Sequence, residues 1–378
     1  MTLVTILALA AAVSSPTPIS WPTRGWPESR PEAEGMEAAP LEALDRDLAA
    51  GKSGYVDSML VIRHGKVVYE KTYDHSTDYR RLFAGKGAPG IYNYYDPGWH
   101  PYYRDTKLHT MQSVSKSVTS ALVGIAIGRG EISGVDAKVM PFFADYRIPD
   151  PDHRRDWMTL RDVLTMRAGI RWDEESADYT DPRNNCAAME ASDDWVRYVL
   201  EQPLAADPGM MFTYNSGATE LLSYVLAKAT GMPADEYARE RLFAPLGIEF
   251  FWKRTPKGLA DTEGGLYLSP RDFAKMGFLY LHDGVWDGRR ILPEGWVRDS
   301  TREWTKTNLP AYGYGYQWWT IAGEASRPDA FFAWGYGGQL LFVVPKVDLI
   351  AVFTGWNIYD HPELDPREAL ARVLASVR

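Results

Sequence analysis

Patterns typical of β-strands lie at the two ends of this 378-residue chain, and patterns typical of helices fill the middle. Apolar residues alternate over 56–62 and 66–73, and the His64-Gly65 pair between them predicts a β-hairpin. Further strand patterns occur at 315–320, 339–344 and 349–354. Because strands must pair to satisfy their backbone groups, we expect one sheet closed by distant segments, with a mostly helical lobe inserted between them.

The helical patterns have apolar residues at a spacing of three to four and begin or end at cap residues. They predict helices over 41–50, 114–128, 159–166, 192–201, 217–230, 269–281 and 363–377. Residues 77–109 show little periodicity and many Gly, Tyr and Pro residues, which indicates a long loop. A loop of this length is usually functional.

Composition disfavours several classes of function. The chain has 50 acidic and 41 basic residues, a net charge of −9 and no run of Lys and Arg, so no nucleic-acid partner is expected. Cys186 is the single cysteine, which excludes an intramolecular disulfide and a cysteine-rich metal site. The seven histidines lack the spacing of a zinc hydrolase, and no G-x-S-x-G sequence marks an α/β-hydrolase. We therefore expect neither a metal ion nor a cofactor.

The N-terminal segment contains an apolar run over residues 3–13 that ends in Ala and Ser. The run is too short to span a bilayer, and it is typical of the core of a secretory signal peptide, although no basic residue precedes it. We expect residues 1–15 to be a signal peptide and the protein to be exported, either periplasmic or secreted, without stable membrane insertion. The alternative is a cytoplasmic protein with an irregular N-terminus.

Ser113-Val114-Ser115-Lys116 opens the helical pattern over 114–128. Residues three apart share one face of a helix, with Cβ atoms about 5–6 Å apart, so Lys116 is expected beside the Ser113 hydroxyl. A lysine in a dry, positively charged site can lose its proton and become a base, and N–H groups at a helix N-terminus can bind an oxyanion. The spacing thus predicts a serine nucleophile. Taken alone, the four residues favour a simpler alternative, a Ser cap followed by a solvent-exposed Lys.

Two further segments contain candidate site residues. Tyr214 lies on a predicted turn before a helix, where its phenol could transfer a proton beside an ammonium group; packing on that helix is the alternative. The glycine-rich segment 333–339 runs into a strand, and glycine lets a substrate approach the backbone. The N–H groups of Tyr336 and Ser113 could form an oxyanion hole; a hairpin without a ligand is the alternative. We interpret Glu174 as a solvated loop carboxylate.

Three other stretches accompany these segments, at 159–169 (TLRDVLTMRAG), 242–247 (LFAPLG) and 264–272 (GGLYLSPRD). Together the segments resemble the β-lactamase-related serine hydrolases, a superfamily of class C β-lactamases, D-Ala-D-Ala carboxypeptidases, carboxylesterases and nylon-oligomer (aminohexanoate-dimer) hydrolases. The resemblance covers nearly the whole mature chain. It implies the α/β (α+β) class and a β-lactamase/DD-peptidase-like fold, with an antiparallel sheet flanked by helices and an inserted, mostly helical lobe.

The resemblance also implies the domain organisation and the catalytic roles. Residues 16–378 would form a single domain, with a sheet lobe at about 36–112 and 310–378 and a helical lobe at about 113–309. Ser113 would be the acylated nucleophile, Lys116 its activating neighbour and Tyr214 the general base and acid, and the N–H groups of Ser113 and Tyr336 would form the oxyanion hole.

Two departures from the family pattern concern the substrate. Ser216 stands where the family commonly has Asn, unless the neighbouring Asn215 substitutes imperfectly for that residue. Ala333-Trp334-Gly335 stands where β-lactamases and peptidases usually have Lys-Thr-Gly. Without that lysine a substrate carboxylate has no partner, which argues against penicillins and D-Ala-D-Ala peptides. We expect Ser216, Trp334, Gly335 and Gly337 to contact a small ester or amide, as in nylon-oligomer hydrolases and esterases. The alternatives are a β-lactamase or D-Ala-D-Ala carboxypeptidase, and a catalytically silent binding protein on the same fold.

Overall fold

The structure is a computed structural model, and it describes residues 19–148, 153–322, 329–358 and 363–378. The predicted signal peptide, residues 1–15, lies outside the described residues, so this expectation stays a prediction. Within the described ranges, every helix is too short or too polar to cross a membrane.

The strands of the described residues belong to one large sheet and two small ones. They are β1 (Val56–Arg63), β2 (Lys66–Thr72), β3 (His109–Thr110), β4 (Phe250–Trp252), β5 (Leu266–Leu268), β6 (Val285–Trp286), β7 (Arg289–Arg290), β8 (Thr305–Lys306), β9 (Gly313–Tyr314), β10 (Trp319–Ile321), β11 (Ala330–Gly335), β12 (Gln339–Val344) and β13 (Leu349–Gly355).

Most of the α-helices lie between the two groups of long strands. They are α1 (Ala38–Ala49), α2 (Ser76–Phe83), α3 (Val114–Gly128), α4 (Leu160–Leu164), α5 (Asn185–Glu190), α6 (Trp195–Glu201), α7 (Ser216–Thr230), α8 (Ala234–Ala238), α9 (Ala244–Leu246), α10 (Pro270–Leu281), α11 (Trp296–Thr301) and α12 (Pro366–Leu374).

The large sheet has eight strands in the order β2-β1-β13-β12-β11-β10-β9-β8, and each neighbouring pair is antiparallel. The N-terminal and C-terminal segments meet where β1 pairs with β13, with Val61 opposite Ala351. The antiparallel sheet closed by distant segments is therefore confirmed. The predicted hairpin is also confirmed, because β1 and β2 pair around His64 and Gly65.

Both faces of the sheet are buried, which explains the uninterrupted apolar sequences of the central strands. Leu341 and Val343 of β12 point into the core shared with the helical lobe, whereas Leu340 and Phe342 point into a second core beneath α1 and α12. Because side chains alternate along a strand, one apolar run fills two cores. Burying each such side chain contributes about 1.5–3 kcal/mol.

The two-lobe division implied by the resemblance needs one adjustment at α10. This helix lies within the segment 113–309, yet a Cβ atom added to Gly277 would touch Leu341, Val343 and Ile350 of the sheet. Glycine at that position lets α10 lie directly on the sheet. The helix therefore packs with the sheet lobe, although its sequence position is in the middle of the chain.

Two secondary-structure expectations were wrong in detail. Only residues 319–320 of the predicted strand 315–320 lie in a strand, β10, and residues 315–318 form the bend between β9 and β10. At this bend Gln317 has a φ of 62°, and its N–H donates to the carbonyl of Leu164 rather than to a strand. The predicted loop 77–109 begins with helix α2, whose Tyr79 and Phe83 pack into a small aromatic cluster. In both places a distant contact decides the local conformation.

Candidate active site

Ser113 lies at the N-terminus of α3, the helix at the centre of the molecule. Its side chain makes no capping hydrogen bond, so the hydroxyl is available for other partners. The preceding residue, Gln112, has a φ of 48°, a left-handed conformation that costs a residue with a side chain about 1–3 kcal/mol. A hydrogen bond of 2.9 Å from Gln112 Nε2 to Thr110 Oγ1 helps to hold this turn. The strained turn orients the Ser113 side chain toward a pocket at the edge of the hydrophobic core.

Lys116 is buried beside Ser113, with only 1% of its surface exposed. Its Nζ donates to Ser113 Oγ at 2.8 Å and to the backbone oxygen of Glu263 at 2.8 Å, and Glu263 Oε2 lies 3.4 Å away. A lysine ammonium has three donors, and these three acceptors use all of them. The side chains of Ser113 and Lys116 therefore lie together as predicted, and the alternative of a solvent-exposed lysine is wrong.

The surroundings of Lys116 are negatively charged, contrary to the positively charged site expected from the sequence. Burial by itself lowers the pKa of Lys116, but the negative charges of an ionised Tyr214, of Glu263 and of Glu174 raise it, and the net shift is upward. These charges and the hydrogen bonds to Ser113 and Glu263 favour the ammonium form of Lys116. The role of Lys116 in proton transfer stays a prediction.

Tyr214 faces the same two residues from the turn before α7. The Asn215 side chain caps this helix by accepting from the N–H of Ala218 at 2.7 Å, which fixes the turn. Lys116 Nζ lies 5.3 Å from the centroid of the Tyr214 ring, and the ring stacks on Trp319 with a centroid distance of 5.8 Å. The turn thus brings the phenol to the Ser113-Lys116 pair.

The pKa of Tyr214 reflects opposing effects. Burial raises it, the charge of Lys116 lowers it, Glu174 raises it, a hydrogen bond with Ser113 lowers it, and the net shift is upward. The upward shift favours the neutral phenol, and the same acidic neighbours also raise the pKa of Lys116, so the two groups titrate as an interacting pair.

The glycine-rich end of β11 lies next to the nucleophile. A Cβ atom at Gly335 would collide with the backbone oxygen of Met111, and Gly337 has a φ of 82°, which favours glycine. Glycine at 335 therefore lets the strand end approach the turn that carries Ser113. Tyr336 lies between the two glycines, so its backbone is held beside that turn, while its role in an oxyanion hole stays a prediction.

These residues surround a pocket of about 180 Å³. Six of the eleven lining residues are sequence-predicted site residues, namely Ser113, Tyr214, Trp334, Gly335, Tyr336 and Gly337. Others that line it are Tyr179, Trp319 and Leu309, and the carboxylates of Glu175 and Glu363. The structure thus brings the predicted site residues together around one cavity.

Two predicted site residues, Lys116 and Ser216, do not line the pocket. Lys116 lies behind Ser113, to which it donates a hydrogen bond, and Ser216 lies behind the pocket wall. Only 1% of its surface is exposed; its N–H and its hydroxyl donate to the carboxylate of Glu174 at 2.9 and 2.8 Å. Ser216 begins α7, so its side chain points into the protein and not toward a substrate. We correct its expected role from substrate contact to support of Glu174.

Glu174 is itself buried, with 2% of its surface exposed, so the interpretation as a solvated loop carboxylate was wrong. Besides Ser216, it accepts hydrogen bonds from Trp172 Nε1 and from the Tyr179 hydroxyl, the latter at 3.2 Å. Burial raises its pKa, while the charge of Lys116 lowers it. No local pattern distinguishes this carboxylate from its exposed neighbour Glu175.

Among the described residues, Cys186, Glu190 and Glu263 could together contribute ligands to a metal ion, with ligand atoms within 4.8 Å of one another. The three groups already use hydrogen bonds: Cys186 Sγ donates to Glu263 Oε1 at 3.6 Å, and the Tyr94 hydroxyl donates to Glu190 at 2.9 Å. Burial raises the pKa of Cys186 well above its ordinary value, so the thiol keeps its proton. As it stands, the cluster supports the Lys116 site by hydrogen bonding.

The chain is similar in sequence to several known proteins. The chain is 27% identical over 290 residues to the 6-aminohexanoate-dimer hydrolase of Paenarthrobacter ureafaciens, covering 71% of this chain and 70% of that protein. It spans about half the length of several other curated relatives that it matches.

Solved structures show the same fold. A family VIII carboxylesterase superposes with a TM-score of 0.64 at 16% identity, covering 93% of this chain and 98% of that one. A D-stereospecific amidohydrolase from Streptomyces sp. superposes with a TM-score of 0.62 at 16% identity, covering 90% and 99%. The sequence model of the Beta-lactamase family matches residues 44–371. With the fold, the pocket and this match in agreement, the chain belongs to the beta-lactamase family of hydrolases.

Proposed function

We propose that the protein is a serine hydrolase that cleaves a small ester or amide through an acyl-enzyme on Ser113. The observation that carries the proposal is the 2.8 Å contact between Lys116 Nζ and Ser113 Oγ at a pocket that Tyr214 also lines. A nucleophile, a charged partner and a proton carrier are the groups that acyl transfer requires. The similarity to a protein named for hydrolysis of the 6-aminohexanoate dimer supports this class of reaction.

In the proposed mechanism Tyr214 carries the proton and Lys116 carries the charge. The phenolate of Tyr214 takes the proton of Ser113 as Oγ attacks the carbonyl carbon, and the N–H groups of Ser113 and Tyr336 stabilise the oxyanion. Tyr214 then returns the proton to the leaving group. Water releases the acyl group by the same steps with Tyr214 again as the base. Lys116 stays protonated throughout, because its hydrogen bonds and acidic neighbours favour the ammonium.

The pocket lining favours a substrate without a carboxylate near the scissile bond. Across the described ranges, none of the residues that line the pocket is Lys or Arg, and Glu175 and Glu363 contribute negative charge. Ala333 stands at the position of the family's lysine, and the next residue, Trp334, packs against Trp319 with a centroid distance of 5.5 Å. An anionic substrate would be repelled, so penicillins and D-Ala-D-Ala peptides are disfavoured.

A substrate panel tests the proposed function. We expect the purified protein to hydrolyse p-nitrophenyl acetate and simple anilides with kcat/KM values at least about tenfold above that for a chromogenic cephalosporin, a difference of about 1.4 kcal/mol. The reverse order would make the protein a β-lactamase. No turnover of any member, with no burst of p-nitrophenol, would favour a silent binding protein on this fold.

Tyr214→Phe is expected to lower kcat by about 10²-fold, the contribution of one general acid-base group. The ring and its stacking on Trp319 are kept, so the thermal unfolding midpoint should stay within a few degrees of wild type. Steady-state kinetics and circular dichroism measure the two quantities. Tyr314, whose ring lies 6.5 Å from that of Tyr214, offers a control: Tyr314→Phe should keep its activity. Equal rates for wild type and Tyr214→Phe would remove Tyr214 from the mechanism.

Glu263→Gln is expected to shift the pH profile of kcat/KM to lower pH. In the proposed mechanism the rate rises as Tyr214 loses its proton and falls as Lys116 loses its own. The negative charge of Glu263 raises the pKa of both groups, so its removal lowers both. We expect each limb to move down by about one pH unit.

The matched control for this variant is Glu175→Gln, since Glu175 is an exposed carboxylate at the same pocket. Its profile should move by much less, because solvent screens an exposed charge. A profile of Glu263→Gln that coincides with that of wild type, or that moves upward, would contradict the assigned protonation states.

A further inference from the structure

A second cavity lies beside the catalytic pocket, with a volume of about 400 Å³. We call it the tyrosine chamber, because its lining includes Tyr92, Tyr94, Tyr95 and Tyr179, together with Ala187 and Glu190. One wall comes from the long segment after α2, and the opposite wall comes from α5 and the residues before it. The reaction proposed above uses none of the chamber except Tyr179.

Tyr179 connects the two cavities, since it lines both of them. Its ring centroid lies 4.8 Å from that of Tyr336 on the catalytic side and 6.1 Å from that of Tyr94 on the chamber side. The hydroxyl of Tyr179 donates to Glu174 at 3.2 Å, which fixes the ring between the two spaces. The side chain of Tyr179 is therefore a wall that the two cavities share.

The sizes of the cavities suggest that they serve one ligand. Pockets that bind small molecules usually measure about 300–1,000 Å³, and the catalytic pocket is smaller than that range. The chamber alone is within it. A substrate with only its reacting group in the catalytic pocket would leave the larger space for the rest of the molecule.

The chamber lining indicates the chemistry of that remainder. Across the described ranges its lining contains no Lys or Arg; the ammonium groups of Lys253 and Lys86 lie over the rings of Tyr92 and Tyr95, 5.0 and 5.1 Å from the ring centroids. Glu190 is 8% exposed and already accepts the Tyr94 hydroxyl at 2.9 Å. Tyr94 is buried and stacks on His100 and Trp356, whereas the half-buried rings of Tyr92, Tyr95 and Tyr179 expose surface to an aromatic partner. Such contacts are favourable in stacked or edge-to-face arrangements.

We propose that the tyrosine chamber binds an uncharged aromatic arm of the substrate while the ester or amide group lies at Ser113. The proposal rests on the proposed function and adds the class of substrate: a molecule with an aryl group several bonds from the scissile carbonyl. The arm gains affinity by leaving water for an apolar, aromatic site, so it should raise kcat/KM by about tenfold or more.

Two series of esters test this inference. One varies the acyl side, p-nitrophenyl acetate against p-nitrophenyl 5-phenylvalerate; the other varies the alcohol side, ethyl acetate against 5-phenylpentyl acetate. We expect the phenyl arm to raise kcat/KM at least tenfold in one of the two series. An arm that gives no advantage in either series would overturn the inference and leave the proposed function standing, whereas no hydrolysis of any ester would overturn both.

Neighbouring alanines on α5 supply the matched variants. Ala187 lines the chamber and Ala188 does not, and both are half-buried. Ala187→Leu should remove at least two thirds of the gain in kcat/KM that the phenyl arm gives. It should change kcat/KM for the short ester by less than about twofold. Ala188→Leu should change neither quantity. Ala191 lies at the exposed end of α5 and also lines the chamber. If Ala187→Leu does not fold, Ala191→Trp tests whether a bulky side chain in the chamber excludes the arm. An undiminished advantage in both chamber variants would contradict the inference.

Discussion

Ser113→Ala is expected to lower kcat/KM for p-nitrophenyl acetate by about 10⁴-fold or more, because acyl transfer loses its nucleophile. The Ser113 side chain makes no capping bond, so α3 should keep its stability and the unfolding midpoint should change little. Steady-state kinetics and thermal unfolding on the same preparation measure both effects.

The control for this variant is Ser115→Ala on the same helix turn. Ser115 is fully buried and its hydroxyl accepts from the N–H of Leu266 at 3.1 Å, so its loss should cost about 1 kcal/mol of stability. It should leave catalysis within a few fold, since the hydroxyl faces β5 rather than the pocket. A Ser113→Ala enzyme with a tenth of the wild-type rate would show that another residue attacks the substrate.

Lys116→Met is expected to lower kcat by about 10³-fold or more, because the charge next to Ser113 and Tyr214 disappears. The same change leaves Glu263 and Glu174 buried without their cation, and removal of one partner of a buried ion pair costs about 3–5 kcal/mol. The unfolding midpoint should therefore fall together with the rate.

A double variant separates the two effects of Lys116→Met. Adding Glu263→Gln removes one uncompensated carboxylate, so Lys116→Met/Glu263→Gln should regain much of the lost stability. It should remain catalytically inactive, because the ammonium is still absent. If the double variant recovered the wild-type rate, Lys116 would be a structural residue and another group would activate Ser113.

Much of this architecture could be predicted from local patterns. The spacing of Ser113 and Lys116 on one helix turn fixes their proximity, because helix geometry determines it. The apolar runs of β12 and β13 and the Ser269-Pro270 start of α10 likewise follow from local rules.

The acidic surroundings of Lys116 could not be predicted in this way. Glu263 and Glu174 are far from Lys116 in sequence, and nothing nearby marks them as buried. Together with Tyr214, their negative charges raise the pKa of Lys116 and favour its protonated form. The orientation of Ser216 has the same cause: the sequence places it near Tyr214, and only the packing of α7 turns it toward Glu174.

Covalent trapping tests the central claim, the acyl-enzyme on Ser113, most directly. The intact mass of the protein should rise by a single adduct after reaction with a fluorophosphonate, and peptide mass spectrometry should locate that adduct on Ser113. The adduct should be absent from Ser113→Ala. Labelling at a different residue, or equal labelling of wild type and Ser113→Ala, would contradict the proposed mechanism.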